Sequence, residues 1–326
     1  MIDFNNFPFK KAIVTGGAGF IGSHIVEELV TNGVETISID NYFAGKHENL
    51  EFLKKYPHFH EVECDVLDFE GLEKQFQGVD IVFHEAASKK TICINNPRLD
   101  LEINAKGTFN LLELAVKHKV KKFVHASTGS VYGEAEFMPQ SESHPLNPTS
   151  YYGVSKLAGE KYVRAFHHLY GLNVAMLRYF HVYGPRQESS DVGGVVSIFA
   201  RHILEGKPIY IYGDGTQQRS FTFVKDVVKA NLLAAISEHT NGNVYNCASG
   251  IKVTIGELYN YVCDILGKPN HPVEYKDWMP GDIKVFDIDN SKIRKELGID
   301  FVTDFVSGLK QTVNWTKDFY ESKGSF

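Results

Sequence analysis

Tyr152 and Lys156 stand four residues apart in the run Tyr151-Tyr152-Gly153-Val154-Ser155-Lys156. On a helix this spacing puts the phenol and the ammonium on one face. A cation held beside a phenol favours phenolate and lowers its pKa from about 10, which gives a base able to take an alcohol proton near neutral pH. Such pairs also arise by chance on helix surfaces, so the pair needs a context. Tyr151 is the rival phenol, but its i+4 partner is Ser155, which supplies no charge.

The context lies far upstream. An apolar run at 12–15 leads into Gly16-Gly17-Ala18-Gly19-Phe20-Ile21-Gly22, and Ile21, Ile25 and Leu29 then repeat with helical period. Glycines at 16, 19 and 22 permit a tight turn, a close approach of pyrophosphate to the main chain, and packing of helix on strand. The start of the helix attracts the anion. The next apolar stretch, 36–39, ends in Asp40, eighteen positions beyond Gly22. A carboxylate there suits the two ribose hydroxyls of NAD and repels the extra phosphate of NADP.

These groups must be positioned by an alternating framework. Strands are expected at 11–15, 35–39, 59–63, 81–83, 122–126 and 173–177, with helical patterns at 101–118 and 151–170 between them. That rhythm predicts an α/β fold with a parallel, doubly wound sheet, its ligand beyond the carboxyl ends of the strands. After Arg178 the alternation gives way to a loop-rich stretch marked by Gly184-Pro185, Gly193-Gly194 and Gly213-Asp214-Gly215. A helix at 224–237 and a strand at 243–246 follow, and the chain from 253 onward reads as short helices and strands of a smaller lobe. The expected division is 1–180 with 224–250 for the dinucleotide, and 181–223 with 251–326 for the substrate.

Composition limits the alternatives. At 326 residues the chain can bury a large core, and a net charge of −6 without a basic stripe argues against a nucleic-acid partner. No apolar run reaches the roughly 20 residues that span a bilayer. The start carries Asp3 where a signal peptide would carry positive charge. Cysteines 64, 93, 247 and 263 are scattered, which suits reduced thiols in a cytoplasm. The fourteen histidines show no metal-ligand spacing, so no metal is expected.

The strand at 122–126 runs into Ser127-Thr128-Gly129-Ser130-Val131-Tyr132-Gly133, a cluster of hydroxyls where the sheet meets its ligand. Thr128 is the candidate to hold a substrate oxygen beside the Tyr152 phenol.

Taken together, the glycine turn, Asp40-Asn41, Cys64-Asp65-Val66, His84-Glu85-Ala86-Ala87, Asn104, Tyr152 with Lys156, Leu177-Arg178-Tyr179-Phe180, Tyr183-Gly184-Pro185-Arg186, Arg219-Ser220-Phe221 and Pro280-Gly281-Asp282 resemble an extended short-chain dehydrogenase/reductase. The resemblance is to the NAD-dependent sugar-nucleotide epimerase/dehydratase family and covers essentially the whole chain. It implies a Rossmann-type domain with a smaller C-terminal α/β lobe. NAD would be held by Gly16, Gly19, Phe20, Ile21, Gly22, Asp40, Asn41, Asp65, Val66, Ala86, Ala87, Asn104, Tyr152 and Lys156. Thr128, Tyr152 and Lys156 would carry the chemistry at C4 of the hexose. Lys89, Thr128, His181, Arg186, Arg219 and Asp282 would bind the sugar nucleotide, with Arg219 on its diphosphate.

The reaction implied is oxidation at C4 of a UDP- or GDP-hexose to a 4-keto sugar, most simply completed as a 4-epimerisation. The alternatives are a dehydrogenase that releases the 4-keto sugar and a 4,6-dehydratase. In the family's dehydratases an Asp-Glu pair follows the Thr, whereas here Gly129 and Ser130 follow it. Three departures lie at the substrate end: His181 where relatives have Asn, Met279 where they commonly have Arg, and a loop at 88–91 one residue short. They leave the nucleotide and sugar open. By analogy, the helices within 101–118 and 151–170 would form a homodimer.

Overall fold

The computed structural model describes residues 2–88, 90–190, 193–278 and 287–324. Its centre is a parallel sheet of β1 (Lys11–Thr15), β2 (Glu35–Asp40), β3 (Phe59–Glu63), β4 (Ile81–His84), β5 (Lys122–Thr128), β6 (Val174–Tyr179) and β7 (Asn243–Cys247), in the order β7-β6-β5-β4-β1-β2-β3. The order reverses between β1 and β4, and a crevice opens at such a switch point.

Burial along the central strands is continuous because helices cover both faces. Ala12 and Val14 face one apolar layer with Ile25, Leu29 and Val227. Ile13 faces the other with Val82, Leu111 and Val163. The period of two along β1 thus feeds two cores from one strand.

The helices that bear on the site are α1 (Phe20–Thr31), α2 (Thr108–Lys117) and α3 (Tyr151–Tyr170). The last has the bounds expected from sequence. Ser150 caps it by accepting from the Gly153 N–H at 3.1 Å, and Gly171, at φ 68°, ends it in the left-handed region. The helical run expected at 101–118 starts earlier, at Pro97, with the Asn96 side chain accepting from Leu99 N–H, and passes through a π-helical stretch, Glu102–Gly107, before α2. Asn-Pro is a legible helix start that the periodicity had passed over.

The stretch after Arg178 is richer in strands than its glycines and prolines suggest. Val182–Tyr183 pairs with Thr222–Phe223, Ile209–Tyr212 with Val273–Lys276, and Gln218–Ser220 with Lys252–Thr254. Each of these strands has two to four residues, too short for a periodic signal in one sequence. They pack with the helices Val195–Leu204, Ile255–Ile265 and Phe305–Ser322 on a separate apolar cluster that includes Phe199, Ile211, Phe221, Leu258 and Leu309. The helix Val224–Ile236 returns to the sheet core beside α1. Among the described residues, no helix is long and apolar enough to cross a membrane.

Candidate active site

The carboxyl ends of β1, β2, β4, β5 and β6 surround a cleft of about 700 Å³. The glycine turn forms one wall. Gly16 sits at φ 66°, and a Cβ there would come within 2.7 Å of the Ala86 nitrogen. A Cβ on Gly22 would strike the Gly16 carbonyl oxygen. The turn is therefore as tight as the backbone allows, and it delivers the N-terminus of α1 to the cleft. No acidic residue stands in the first turn of α1, so its positive end is left for an anion. This bare, backbone-lined cradle fits a pyrophosphate.

Asp40 lines the next wall. Its carboxylate accepts from Ala18 N–H at 3.0 Å and Tyr42 N–H at 2.9 Å. Burial raises its pKa, while these two donors oppose the rise. Each oxygen keeps a lone pair for a ribose hydroxyl. Asn41 donates to Asp65 at 2.7 Å, and Asp65 accepts from Leu67 N–H at 2.9 Å, so the ends of β2 and β3 are tied at the cleft edge. Val66, Ala86 and Ala87 line the same cleft, as do Phe20 and Ile21. Sequence reasoning missed residues 43–46, which also line it. Gly45 packs so close to Asp40 that a Cβ would lie 2.7 Å from the carboxylate, and that glycine was the available signal.

Tyr152 and Lys156 line the cleft too, while Tyr151 is 63% exposed and turned away. Lys156 is buried and donates to the Ala126 carbonyl at 2.6 Å. Thr128, at the end of β5, acts on the Tyr152 phenol and lowers its pKa, while its Oγ1 accepts from the Ser130 N–H at 3.2 Å. The expected fall in the phenol's pKa is not what the chain alone produces. Burial pushes Tyr152 up to about 12, with Thr128 drawing it back. Burial likewise brings Lys156 down to about 8, opposed by Glu85, Glu160 and Asp100. The desolvation that confines the pair costs each its charged form.

Two polar networks unforeseen in the sequence back this pair. Glu160, one turn beyond Lys156, takes both Nε and Nη2 of Arg178 at 3.0 and 2.6 Å and accepts from Ser127 at 2.8 Å. Arg178 Nη1 donates to Tyr132 OH at 2.7 Å, and Tyr132 donates to Asn246 at 2.6 Å. Ser127 lines the cleft, so the network fixes one of its walls. On the other side, Tyr179 OH donates to Glu85 at 2.9 Å and accepts from Asn231 at 2.8 Å.

Other expected site residues are placed differently. Asn104 lies in the π-helical stretch, 1% exposed, and does not line the cleft. Its amide accepts from Ser88 N–H and donates to Asp100 and Ser155, so it braces the walls of the cleft. Arg186 lines the cleft but is turned toward α1, with Nη2 2.5 Å from Glu27 and Nη1 3.4 Å from Ser23. Against the cost of burial, His24 and Arg186 hold the Glu27 carboxyl at about 2. Arg219 is buried in its short strand, donating to the Gln218 carbonyl, and does not line this cleft. His181 takes φ 36°, a conformation asparagine adopts readily, and its ring stands 6.0 Å from that of Phe221. Lys89, Asp282 and Met279 lie outside the described residues. Among the described residues, no group of three or more His, Cys, Asp or Glu is arranged to hold a metal ion.

Comparison with known proteins agrees with this geometry. Residues 12–248 match the model of a family described as NAD dependent epimerase/dehydratase. A UDP-glucose 4-epimerase of Mycolicibacterium smegmatis is 34% identical over 94% of this chain and 99% of its own. The crystal structure of a Thermotoga maritima UDP-glucose 4-epimerase with UDP-glucose superposes with a TM-score of 0.89 at 37% identity, over 95% of this chain and 99% of that one. A UDP-N-acetylglucosamine 4-epimerase of Methanobrevibacter ruminantium, in complex with UDP-N-acetylmuramic acid, superposes at 0.90 with 36% identity over the same shares. With the matched region spanning the glycine turn, Asp40 and the Tyr152–Lys156 pair, the chain belongs to the NAD dependent epimerase/dehydratase family.

Proposed function

We propose that this protein inverts C4 of a nucleotide-diphosphate hexose through a 4-keto sugar, with a UDP-hexose as substrate. The observation that carries this reading is the meeting of Tyr152, Lys156 and the glycine turn in one cleft. NAD, when bound, supplies the acceptor for the C4 hydride and later its donor. The Gly16–Gly22 turn and the start of α1 would hold its pyrophosphate, and Asp40 its adenosine ribose.

The chain's own groups manage the proton. Tyr152 takes it from the C4 hydroxyl as the C4 hydride leaves, and Thr128, at the end of β5, orients the reacting oxygen. Lys156 supplies the positive charge that favours phenolate. Once the 4-keto ring has turned to present its other face, the same phenol returns the proton to the C4 oxygen. Anchoring through the distant nucleotide lets the ring turn without loss of the intermediate. Residues 181–223 and 251–326 supply that anchor in this reading, with Arg219 and His181 on the substrate.

The dehydratase alternative is disfavoured sterically as well as chemically. A Cβ at Gly129 would run into the Phe180 ring, so the acid which that chemistry needs has no room there. The four free cysteines suit a reducing cytoplasm. Tyr151, Val154, Leu169 and Tyr170 are 52–74% exposed on α3, an apolar face that a second copy of the chain would cover in a homodimer.

Incubating the purified protein with UDP-glucose, UDP-N-acetylglucosamine and GDP-mannose tests the assignment. Appearance of a C4 epimer without net NADH absorbance is the expected result. Accumulated NADH with a released 4-keto sugar, or a 6-deoxy-4-keto product, would overturn it.

A further inference from the structure

Glu85 follows β4 directly, half-buried in the floor of the cleft. Its backbone N–H donates to the Thr15 carbonyl at 3.1 Å, and its carboxylate accepts from Tyr179 OH at 2.9 Å, so the side chain is fixed from β1 and β6 together. The titratable groups that act on it or feel it are Lys156 on α3, Tyr179 on β6 and Cys247 on β7. β4 and β5 are neighbours with His84 opposite His125, so Glu85 leaves the sheet beside Ala126, whose carbonyl holds the Lys156 ammonium. Among the described residues, Lys156 is the cation that acts on it. His84, the preceding residue, is held neutral between Thr15 and Thr108, its pKa brought down to about 3 by burial and by Lys156.

We propose that Glu85 is the positioning residue for the charge on Lys156: its carboxylate keeps the buried lysine protonated, so that Tyr152 retains a cation beside it. The role assigned to Tyr152 rests on the epimerase reading, whereas the pairing of Glu85 with Lys156 does not. Two other acids also act on Lys156, but Glu160 is forked by Arg178, and Asp100, which accepts from Ser88 at 2.6 Å and Asn104 at 3.0 Å, does not line the cleft. Glu85 lines the cleft together with Lys156, and its side-chain donor is the neutral Tyr179 hydroxyl, so no second cation cancels its charge. Burial drives Glu85 up to about 7 and Lys156 down to about 8, toward their neutral forms, and each charge opposes that drift in the other. Each charge therefore sustains the other near working pH. An oxidised nicotinamide ring brings a further positive charge to the cleft, which presses Lys156 to lose its proton. A carboxylate in the floor offsets that pressure and favours the oxidised ring over the neutral reduced one.

Glu85→Gln removes the charge while keeping the size of the side chain and an acceptor for Tyr179. In the holoprotein, the equilibrium ratio of bound NADH to bound NAD at fixed solution potential, read by absorbance, should rise about tenfold, the equivalent of one pK unit of lost charge interaction. In turnover of UDP-glucose, the alkaline limb of the pH profile should move down by about one pH unit, and Glu85→Asp should restore part of the shift. Should Glu85→Gln fail to accumulate as folded holoprotein, Tyr179→Phe, which strips the carboxylate of its donor, should move both readouts the same way by a smaller amount. A bound ratio within twofold of wild type with an unmoved limb overturns the proposal, even if the rate falls, because a merely structural role would lower the rate alone. A shifted ratio in a protein that epimerises nothing would sink the functional reading and leave the pairing standing. Epimerisation with an unshifted ratio would do the reverse.

Discussion

Replacing Lys156 by Met separates the charge of this side chain from its bulk. In the chain alone burial sets the Tyr152 phenol at about 12, so at pH 8 about one molecule in 10⁴ would carry phenolate, a deficit of about 5 kcal/mol. Lys156 is already part of that balance, so the positive nicotinamide is the further charge a loaded cleft would bring, and without Lys156 the phenol would stand higher still. A neighbouring cation is worth about one to two pK units to a phenolate, so loss of Lys156 should lower turnover at pH 8 roughly 10- to 100-fold. The variant's rate should then climb about tenfold per pH unit toward the pKa of the unaided phenol, while wild type does not climb in this way. The assay is interconversion of UDP-glucose and UDP-galactose, separated by chromatography. Dinucleotide released on denaturing the same sample confirms that the variant is loaded. Turnover within threefold of wild type in loaded protein, or a slow variant with a flat profile, would refute the argument that Lys156 acts through the ionisation of Tyr152.

Two further substitutions test the scaffold around this pair. Gly22→Ala places a methyl group against the Gly16 carbonyl oxygen and within 3.0 Å of Gly17 Cα, so the backbone turn must move; the protein should purify folded but without dinucleotide, as mass spectrometry of the native protein would reveal. Full occupancy would show that the turn tolerates the side chain. Glu160→Gln leaves Arg178, only 2% exposed, without its counter-charge, and should lower stability to urea by about 3–5 kcal/mol. A loss below about 1 kcal/mol would mean that water reaches the guanidinium, since exposed pairs contribute no more than that.

The sequence by itself determined the parts of this protein whose chemistry is local. Glycines at 16, 19 and 22 specify a turn through backbone sterics alone, Asp40 follows at the end of the next apolar run, and Ser150 and Gly171 delimit the helix that sets Tyr152 beside Lys156. Each of these features is decided within one element or at its ends, and helix and strand periods are legible at that range. The short strands after Arg178 escaped the same reading, because a pair of two-residue strands such as Val182–Tyr183 and Thr222–Phe223 has no period of its own and exists only through the pairing.

Only the tertiary structure decided the charges and the partners. It sent Arg186 to Glu27 on α1, spent the amide of Asn104 on Ser88, Asp100 and Ser155, and left Gly129 beneath the Phe180 ring. It also raised the Tyr152 phenol where the neighbouring cation had suggested a fall, and it brought Glu85 from the end of β4 to act on Lys156. The physical reason is the same in each case. A pKa, or the direction of a hydrogen bond, depends on how much water the surrounding segments exclude and which groups they bring near, and those segments are far apart in the chain.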